Sequence, residues 1–315
     1  MKKNVLLLET IAGEADRILR ENTEVIDAFN VENPVDVTGD HDIHAIVTRG
    51  KGQVNRKLMD SCPDLAAIAR CGVGLDNVDL QEAASRKIKV IHAPGSNSAT
   101  IAEHTLALML MLLRNIYHSV ERVKAGQWNW RNRYKGDELS GKTLGILGMG
   151  NIGQRVARLA DAFGMEIIYW DKYPVQSPFT SLPFHEVLQK ADVVTLHVPL
   201  LKETENMIGA DEIGLMQPHA CLINTARGGL IDQGALTKAL DSESIAGFAA
   251  DVLAEEPPGE NEPLPVHPKS LITPHTGSLT TTTYRNMCLS TVKNLISVLN
   301  NRKPDPNSVF NQKQD

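Results

Sequence analysis

The sequence lacks a long hydrophobic run, a cysteine framework and an excess of positive charge. Its longest apolar run, residues 106–113, has eight residues, whereas a bilayer-spanning helix needs about twenty, so we predict no membrane span. The net charge of −6 argues against a protein that coats nucleic acid or an anionic membrane. The cysteines show neither a CxxC pair nor metal-ligand spacing and are expected to be reduced thiols of a cytoplasmic protein; they are Cys62, Cys71, Cys221 and Cys288. His41 and His44 also lack further ligands, so we predict no metal site.

What the chain has instead is an ordinary globular composition, with 42% apolar and 22% charged residues. Its 315 residues exceed what one hydrophobic core usually serves, so two domains are expected. Short apolar segments alternate with helical patterns from residue 5 to about 97 and again from 142 onward, which is typical of βαβ units. The sequence therefore predicts an α/β protein with parallel sheets. Between the two series we predict one long helix, 98–118, and a projecting aromatic and basic arm, 126–135. The polar tail 303–315 is expected to fray.

A glycine-rich motif, GMGNIG, directly follows an apolar segment and opens a helical pattern. In this context the motif is typical of dinucleotide binding. Gly148 permits a tight turn, Gly150 lets the backbone approach a pyrophosphate, and Gly153 lets helix and strand pack closely. The N-terminus of the helix also attracts phosphate charge. Asp171 ends the next predicted strand, where a carboxylate binds ribose hydroxyls and repels the 2′-phosphate of NADP. The motif therefore predicts NAD as the cofactor, although the neighbouring Lys172 favours a 2′-phosphate.

Three polar residues follow later predicted strands: Arg227, Glu256 and His275. Ligands bind at the carboxyl ends of strands in open α/β sheets, so we expect all three near the dinucleotide. Hydride transfer between a hydroxyl and a carbonyl carbon needs a cation to hold a carboxylate, a group that titrates near neutrality, and a carboxylate to orient that group. Each residue alone is a weak signal, but their order behind the glycine motif favours a dehydrogenase.

From about residue 47 to 300 the chain resembles the D-isomer-specific 2-hydroxyacid dehydrogenases, and most closely the D-3-phosphoglycerate dehydrogenases. The resemblance rests on five ordered motifs: ARCGVGLDNVDL at 69–80, GKTLGILGMGNIG at 141–153, NTARGGLID at 224–232, ADVLAEEPP at 250–258 and TPHTG at 273–277. The run after the histidine departs from the common pattern, because Leu279 stands where a small polar residue is usual. This departure affects the expected substrate fit rather than the chemistry.

The resemblance implies a role for each matched residue. His275 would be the acid/base, Glu256 its partner, and Arg227 the anchor of the substrate carboxylate and carbonyl oxygen. The cofactor would be held by the glycine motif and by residues that follow strands: Asn151 and Ile152 at the pyrophosphate, Asp171 at the ribose, Val198, Pro199 and Thr204 along the adenosine half, and Thr225, Ala226 and Asp251 near the nicotinamide. Backbone amides of the loop Gly72, Val73 and Gly74 would bind the substrate carboxylate.

The resemblance also implies how the domains are arranged. An NAD-binding domain, residues 98–282, would be inserted into a substrate-binding domain made of residues 1–97 and 283–315. Both would be Rossmann- or flavodoxin-like, and residues 98–140 would supply the helix and arm of a homodimer. The chain stops without the regulatory domain that longer phosphoglycerate dehydrogenases append, so we expect no serine feedback through such a domain.

The prediction of the substrate depends on a group of arginines. Arg49 and Arg70 each follow a predicted strand and match phosphate-side arginines of phosphoglycerate dehydrogenases, while Arg131 and Arg133 lie in the arm. We expect oxidation of 3-phosphoglycerate to 3-phosphohydroxypyruvate, since arginine binds oxyanions through bidentate hydrogen bonds. The alternatives are another 2-hydroxy acid, such as 3-sulfolactate, D-lactate or glycerate. From a different class, an NAD(H)-sensing, corepressor-like binding protein would carry the same three catalytic residues.

Overall fold

The computed structural model describes residues 2–50 and 52–310, which divide into two compact units. The first unit combines the residues up to Asn97 with those from Leu279 onward, and the second is Ser98–Ser278. Each unit contains a parallel β-sheet with helices on its faces. The predicted α/β fold with two parallel sheets is therefore confirmed.

The strands and helices are numbered along the chain. The strands are β1 (Asn4–Leu7), β2 (Glu24–Asp27), β3 (Ile43–Thr48), β4 (Ala67–Arg70), β5 (Lys89–Ile91), β6 (Thr143–Leu147), β7 (Glu166–Trp170), β8 (Thr180–Ser181), β9 (Val193–Leu196), β10 (Cys221–Asn224), β11 (Gly247–Ala250) and β12 (Ser270–Ile272). The helices are α1 (Gly13–Asn22), α2 (Arg56–Asp60), α3 (Leu80–Ser85), α4 (Ser98–Leu113), α5 (Ile116–Lys124), α6 (Asn151–Ala162), α7 (Phe184–Lys190), α8 (Ala210–Leu215), α9 (Gln233–Asp241) and α10 (Thr281–Leu299). Short 3-10 helices lie at Pro34–Val37, Trp128–Arg133, Gly228–Leu230, Leu264–Val266 and Pro306–Ser308.

The sheet of the first unit has the strand order β2-β1-β3-β4-β5. Successive side chains of β1 point to opposite faces, as the period of two requires. Val5 and Leu7 pack with α1 and α10 on one face, whereas Leu6 packs with Ile46 and Met59 on the other. Both faces are therefore buried, which explains why these strands are continuously apolar rather than alternating.

The sheet of the second unit has the strand order β12-β11-β10-β9-β6-β7-β8. β6 lies between β7 and β9, so the chain moves outward from β6 in both directions. Such a switch point leaves a crevice at the carboxyl ends of the two strands, where α/β proteins bind their ligands. The glycine motif follows β6 at this crevice.

The predicted helix 98–118 is in fact two helices. α4 is buried along most of its length, and Asn115 then adopts a left-handed conformation with φ of 47° before α5 begins. Asparagine tolerates this conformation better than most residues, which a hydrophobicity pattern does not register. The prediction of one continuous helix was therefore wrong.

The tail also differs from its prediction. Over residues 303–310 it contains the 3-10 helix Pro306–Ser308, and Val309 pairs antiparallel with Ile91 and is completely buried. The Val309 bridge, the buried Val309 side chain and the hydrogen bond from the His92 amide to the Ser308 carbonyl hold this part of the tail on the sheet, so the expected fraying was wrong here. Residues 311–315 lie outside the described part of the chain. No helix in residues 2–50 and 52–310 combines the length and apolarity that a bilayer crossing requires.

Candidate active site

The three glycines of the turn after β6 differ in what surrounds them. Gly148 has φ of 100°, and a Cβ there would lie 2.7 Å from the carbonyl carbon of His197. A Cβ at Gly153 would overlap the carbonyl oxygen of Gly148. At Gly150, by contrast, a Cβ would meet no atom within 4 Å. The first and third glycines are therefore required by packing, while the second lies beside open space that a ligand can enter.

The residues after Gly150 begin α6 with their backbone amides pointing out of the helix end. Asn151 and Ile152 are its first two residues, and the first i to i−4 hydrogen bond is donated only by Gln154. Unsatisfied amides and the helix dipole make such an end a favourable anion site. This helix end can therefore accommodate an anionic group, and the expected role of Asn151 and Ile152 at a pyrophosphate stays a prediction.

Asp171 fastens the glycine turn from the end of β7. Its carboxylate accepts hydrogen bonds from the amide of Met149 at 2.8 Å and from the amide of Tyr173 at 3.0 Å. The neighbouring Lys172 forms an ion pair with Glu203 at 2.6 Å. This pair reduces the ability of Lys172 to favour a 2′-phosphate, because its charge is already compensated.

The loop after β9 lies against the same turn. Val198 Cγ1 would be 2.9 Å from a Cβ at Gly148, so the two residues are immediate neighbours. The hydroxyl of Thr204 donates to the carbonyl of Pro199 at 2.7 Å and accepts from the amide of Leu201 at 2.8 Å. Thr204 therefore closes the loop on itself, and Val198 lies beside the glycine turn. The expected place of Val198, Pro199 and Thr204 along the adenosine half stays a prediction.

The loop that carries Arg227 is held by Asn224, whose side chain is buried. The Asn224 amide group donates to the carbonyl of Arg227 at 2.8 Å, and its oxygen accepts from the amide of Ala226 at 3.0 Å. A Cβ at Gly228 would overlap the backbone of Leu253, so this loop lies directly against the loop after β11. Arg227 is half-buried, and its guanidinium donates to the carbonyl of Ala226 at 2.7 Å.

Thr225 points in another direction from Arg227. Its hydroxyl is buried and lies 2.8 Å from the hydroxyl of Thr105 on α4. Thr225 thus ties the loop after β10 to the helix behind the sheet. Its expected place near the nicotinamide stays a prediction.

His275 and Glu256 form a close pair. His275 Nδ1 lies 2.6 Å from Glu256 Oε2, and Glu256 Oε1 accepts from the amide of Leu253 at 3.0 Å. A carboxylate can only accept, so Nδ1 carries a proton and Nε2 is the nitrogen that can take one up. Partial burial raises the pKa of Glu256, but the hydrogen bond and charge of His275 outweigh it and hold that pKa below its usual value. The pair therefore has the geometry of an acid/base and its orienting carboxylate.

Asp251 lies beneath this pair rather than on an open surface. Its carboxylate is 1% exposed and accepts from the hydroxyl of Thr273 at 2.6 Å and from the amides of Thr276 and Gly277 at 2.9 and 2.7 Å. His104, from α4, adds a contact of 3.4 Å. Burial raises the pKa of Asp251, but these hydrogen bonds outweigh it and hold the pKa below its usual value. Asp251 therefore fixes the loop that carries His275.

A cavity of about 410 Å³ borders the histidine–glutamate pair. Besides these two residues its lining consists of Asp251, the apolar side chains of Leu253 and Ile272, Thr273, and several prolines. A volume of this order admits a small organic acid or one end of a cofactor. Within the described residues, no cluster of three histidine, cysteine or acidic side chains could hold a metal ion.

In the first unit, Arg49 is held by the buried Glu9. The Glu9 carboxylate accepts from the amides of Arg49 and Gly50 at 2.9 and 2.5 Å and lies 3.5 Å from the Arg49 guanidinium. That guanidinium also lies over the ring of Tyr284, 5.5 Å from its centre. Glu9 was not predicted, because it precedes Arg49 by forty positions and no motif marks it.

Arg70 lies against the loop that follows β4. A Cβ at Gly72 would overlap the Arg70 guanidinium, and one at Gly50 would lie 3.7 Å from it. Gly72 is therefore required for Arg70 to fold across the backbone, which brings Arg70 close to the segment that carries Arg49.

The next two residues of that loop, Val73 and Gly74, are half-buried. The Val73 carbonyl lies 3.0 Å from Nδ1 of His92, which supports the loop from β5. The Gly72 amide donates to the carbonyl of Arg70 at 2.8 Å. Because the Gly72 amide is already bonded within the loop, it is a weaker candidate for binding a substrate carboxylate than the amides of Val73 and Gly74.

The arm is a 3-10 helix, Trp128–Arg133, that exposes most of its side chains. Arg131 and Arg133 are exposed at its end, and Trp128 is 66% exposed. α5, which precedes it, has no buried residue, and Ile116, Tyr117, Val120 and Val123 are exposed along it. Within the described part of the second unit, Arg131 and Arg133 are not among the residues that line the cavity beside His275.

Comparisons with known proteins agree with this geometry. The sequence profile of the D-isomer specific 2-hydroxyacid dehydrogenase, NAD binding domain, matches residues 106–277. A D-3-phosphoglycerate dehydrogenase of Methanocaldococcus jannaschii is 39% identical over 284 residues, which cover 88% of this chain and 53% of that protein. This chain thus spans about half the length of that relative.

Two further matches extend over nearly whole chains. A glyoxylate reductase of Thermococcus litoralis is 39% identical over 281 residues, covering 85% of this chain and 84% of the relative. The crystal structure of a Thermus thermophilus protein superimposes with a TM-score of 0.89 at 36% identity, over 96% of this chain and 98% of the other. The fold, the glycine turn and these matches lead to one conclusion: the chain belongs to the D-isomer specific 2-hydroxyacid dehydrogenase family, and its second unit contains that family's NAD-binding domain.

Proposed function

We propose that the protein uses NAD to interconvert a small anionic D-2-hydroxy acid and its 2-oxo acid, with 3-phosphoglycerate and 3-phosphohydroxypyruvate as the leading pair. The observation that carries this proposal is a chain of three contacts. Gly228, next to Arg227, lies against Leu253; the Leu253 amide binds Glu256; and Glu256 binds His275 at 2.6 Å. The three side chains expected to act together are thereby linked through adjoining loops.

Each of these side chains has a distinct task in the proposed reaction. In the oxidation direction, His275 takes up the hydroxyl proton at Nε2, and Glu256 stabilises the imidazolium that forms. Arg227 holds the substrate carboxylate, so that the reacting carbon has a fixed orientation. Bound NAD supplies the acceptor for the hydride that leaves C2.

The residues around the glycine turn fit the cofactor. Gly150 adjoins open space, and Asn151 and Ile152 begin α6 beside it. We propose that their backbone amides bind the pyrophosphate. We propose Asp171 for the ribose hydroxyls and the loop with Val198, Pro199 and Thr204 for the adenosine half. NAD rather than NADP is favoured because Asp171 is negative and Lys172 is paired with Glu203.

We propose that Arg49 and Arg70 bind a second anionic group of the substrate and that the amides of the 72–74 loop bind near its carboxylate. The Arg70 guanidinium lies close to Gly50, and the Arg49 guanidinium lies 3.5 Å from Glu9, whose carboxylate also binds the Gly50 amide. This common neighbourhood supports a shared anion site. A phosphate or a sulfonate would suit it equally. Glu9 offsets one of the two positive charges, and this observation favours a second candidate, a substrate with one charge such as glyoxylate.

A substrate panel tests the proposal. Absorbance of NADH would be followed with 3-phosphoglycerate, 3-sulfolactate, D-lactate, glycerate and 2-hydroxyglutarate, and in reverse with glyoxylate. We expect the acids with a second anion to have the highest kcat/KM, and Arg49→Ala and Arg70→Ala to lower kcat/KM for them more than for glycerate. Faster turnover of glycerate or glyoxylate would contradict the role given to these arginines. Tight NAD binding without turnover of any acid would instead favour a corepressor-like sensor.

We also propose a homodimer formed through α4, α5 and the arm, with Arg131 and Arg133 contributing to the partner's site. The support is the exposed apolar face of α5 and the exposed Trp128. Light scattering should give a mass twice the 34.5 kDa of the chain, and the Val123→Asp variant should have the mass of a monomer. A wild-type monomer would contradict the proposal.

The cysteines, all free and buried, support a reducing, cytoplasmic location. With 3-phosphoglycerate as substrate, the protein would act in serine biosynthesis.

A further inference from the structure

The loop that carries His275 has a backbone conformation that needs external support. His275 has φ of 53°, in the left-handed region that side-chain-bearing residues rarely adopt. The donors on either side of it, the hydroxyl of Thr273 and the amides of Thr276 and Gly277, all bind the carboxylate of Asp251. The direction of the imidazole is therefore set from below by Asp251 as well as from the side by Glu256.

His104 completes this network from α4, a helix that carries none of the predicted site residues. Its Nε2 lies 2.9 Å from the Thr273 hydroxyl and 3.4 Å from Asp251 Oδ1. The Thr273 hydroxyl has a single proton and donates it to Asp251 at 2.6 Å. It can therefore only accept from His104, so His104 Nε2 carries a proton and is the donor.

Packing keeps His104 next to the loop. A Cβ at Gly277 would lie 3.3 Å from His104 Cδ2 and 3.1 Å from Ile101, so glycine at this position lets the loop lie directly on α4. The His104 side chain is 22% exposed. The imidazole thus lies between α4 and the 273–277 loop. Loss of its N–H donor would therefore remove a contact with Thr273 and with Asp251.

We propose that His104 is a positioning residue for the reaction: its Nε2–H holds Thr273 and, through it, Asp251, so that the 273–277 loop presents the His275 imidazole at the angle that proton transfer requires. The inference rests on the proposed role of His275 as proton acceptor. A misplacement of the acid/base by a fraction of an ångström is expected to affect the rate more than the binding of cofactor.

The test compares variants that keep or remove the donor. His104→Leu removes it at similar volume, whereas His104→Gln places an amide N–H near the position of Nε2. We expect His104→Leu to lower kcat by about ten- to a hundredfold, with the dissociation constant of NADH changed less than about twofold. His104→Gln should recover kcat to within about threefold of the wild type. The matched control is His219→Gln, which alters another histidine–aspartate pair, with Asp192 at 2.6 Å, at the amino end of the same sheet.

A double-mutant cycle of His104→Leu and Thr273→Val provides a second test. A general loss of protein stability would not produce the result expected from it. If His104 acts through the Thr273 hydroxyl, the two substitutions together should lower kcat no more than either does alone. Independent, multiplying losses would overturn the proposal, as would a His104→Leu enzyme with wild-type kcat or a His104→Gln enzyme as slow as His104→Leu. A wild-type protein that turns over no hydroxy acid would instead refute the proposed function, and the positioning role with it.

Discussion

Replacing Glu256 by glutamine tests the acid/base pair with little change in shape. The Glu256→Gln side chain would keep an oxygen for the Leu253 amide, but it would lack the charge that lies 2.6 Å from His275 Nδ1. A hydrogen bond to a charged group contributes about 1.5–3 kcal/mol. The His275 and Glu256 side chains are 48% and 37% exposed. Because solvent screens their interaction, we expect a contribution near the lower end of this energy range. Since about 1.4 kcal/mol is tenfold in rate, we expect kcat to fall about ten- to thirtyfold.

The assay separates this effect from binding and from folding. Steady-state NADH absorbance gives kcat and KM, and titration of NADH fluorescence gives the cofactor affinity, which should not change. The pKa of Glu256 is lowered in the folded protein, so its stabilising contribution is present above the unfolded pKa and lost as pH falls through the folded pKa. The difference in unfolding free energy between wild type and Glu256→Gln should therefore shrink on acidification. An unchanged kcat, or equal losses of kcat and NADH affinity, would refute the assigned role.

Three other predictions probe the same architecture. Arg227→Ala should reduce turnover far more than NADH binding, and equal loss of both, measured by kinetics and fluorescence titration, would contradict its role as substrate anchor. Gly228→Ala should destabilise the protein by about 2–3 kcal/mol in thermal unfolding, because its Cβ would overlap the Leu253 backbone, while Gly214→Ala, with open space around it, should not. Burial lowers the pKa of His197 to about 3, so wild-type stability should fall with acidification from about pH 6.5 by about 1.4 kcal/mol per unit from this group. His197→Leu should flatten that slope in denaturant titrations, and parallel slopes would show that the imidazole is not kept neutral by the fold.

The sequence predicted the features that have a local signature. The glycine turn, Asp171 and the histidine–glutamate pair each follow a strand, and strands of a parallel sheet bring their carboxyl ends together whatever their separation in sequence. The two parallel sheets follow from the alternation of apolar and helical segments for the same reason.

The features that were missed depend on contacts between distant segments. His104 and Thr273 are 169 positions apart, and nothing in the pattern of α4 distinguishes a histidine that supports a loop from one that fills a core. The same holds for Glu9 beneath Arg49. β2 and α8 were not predicted either, because they are short and their residues are polar enough to be taken for loops.

The attachment of Val309 to Ile91 has a practical meaning for work on substrate choice. The Ser308 carbonyl accepts the His92 amide at 2.9 Å, and the His92 ring in turn contacts the Val73 carbonyl and the ring of Phe310. The shape of the 72–74 loop is thus set partly by residues more than two hundred positions away. A chimaera that transplants this loop from a relative should carry residues 306–310 of the same donor, since a foreign loop on the native tail would lose its brace.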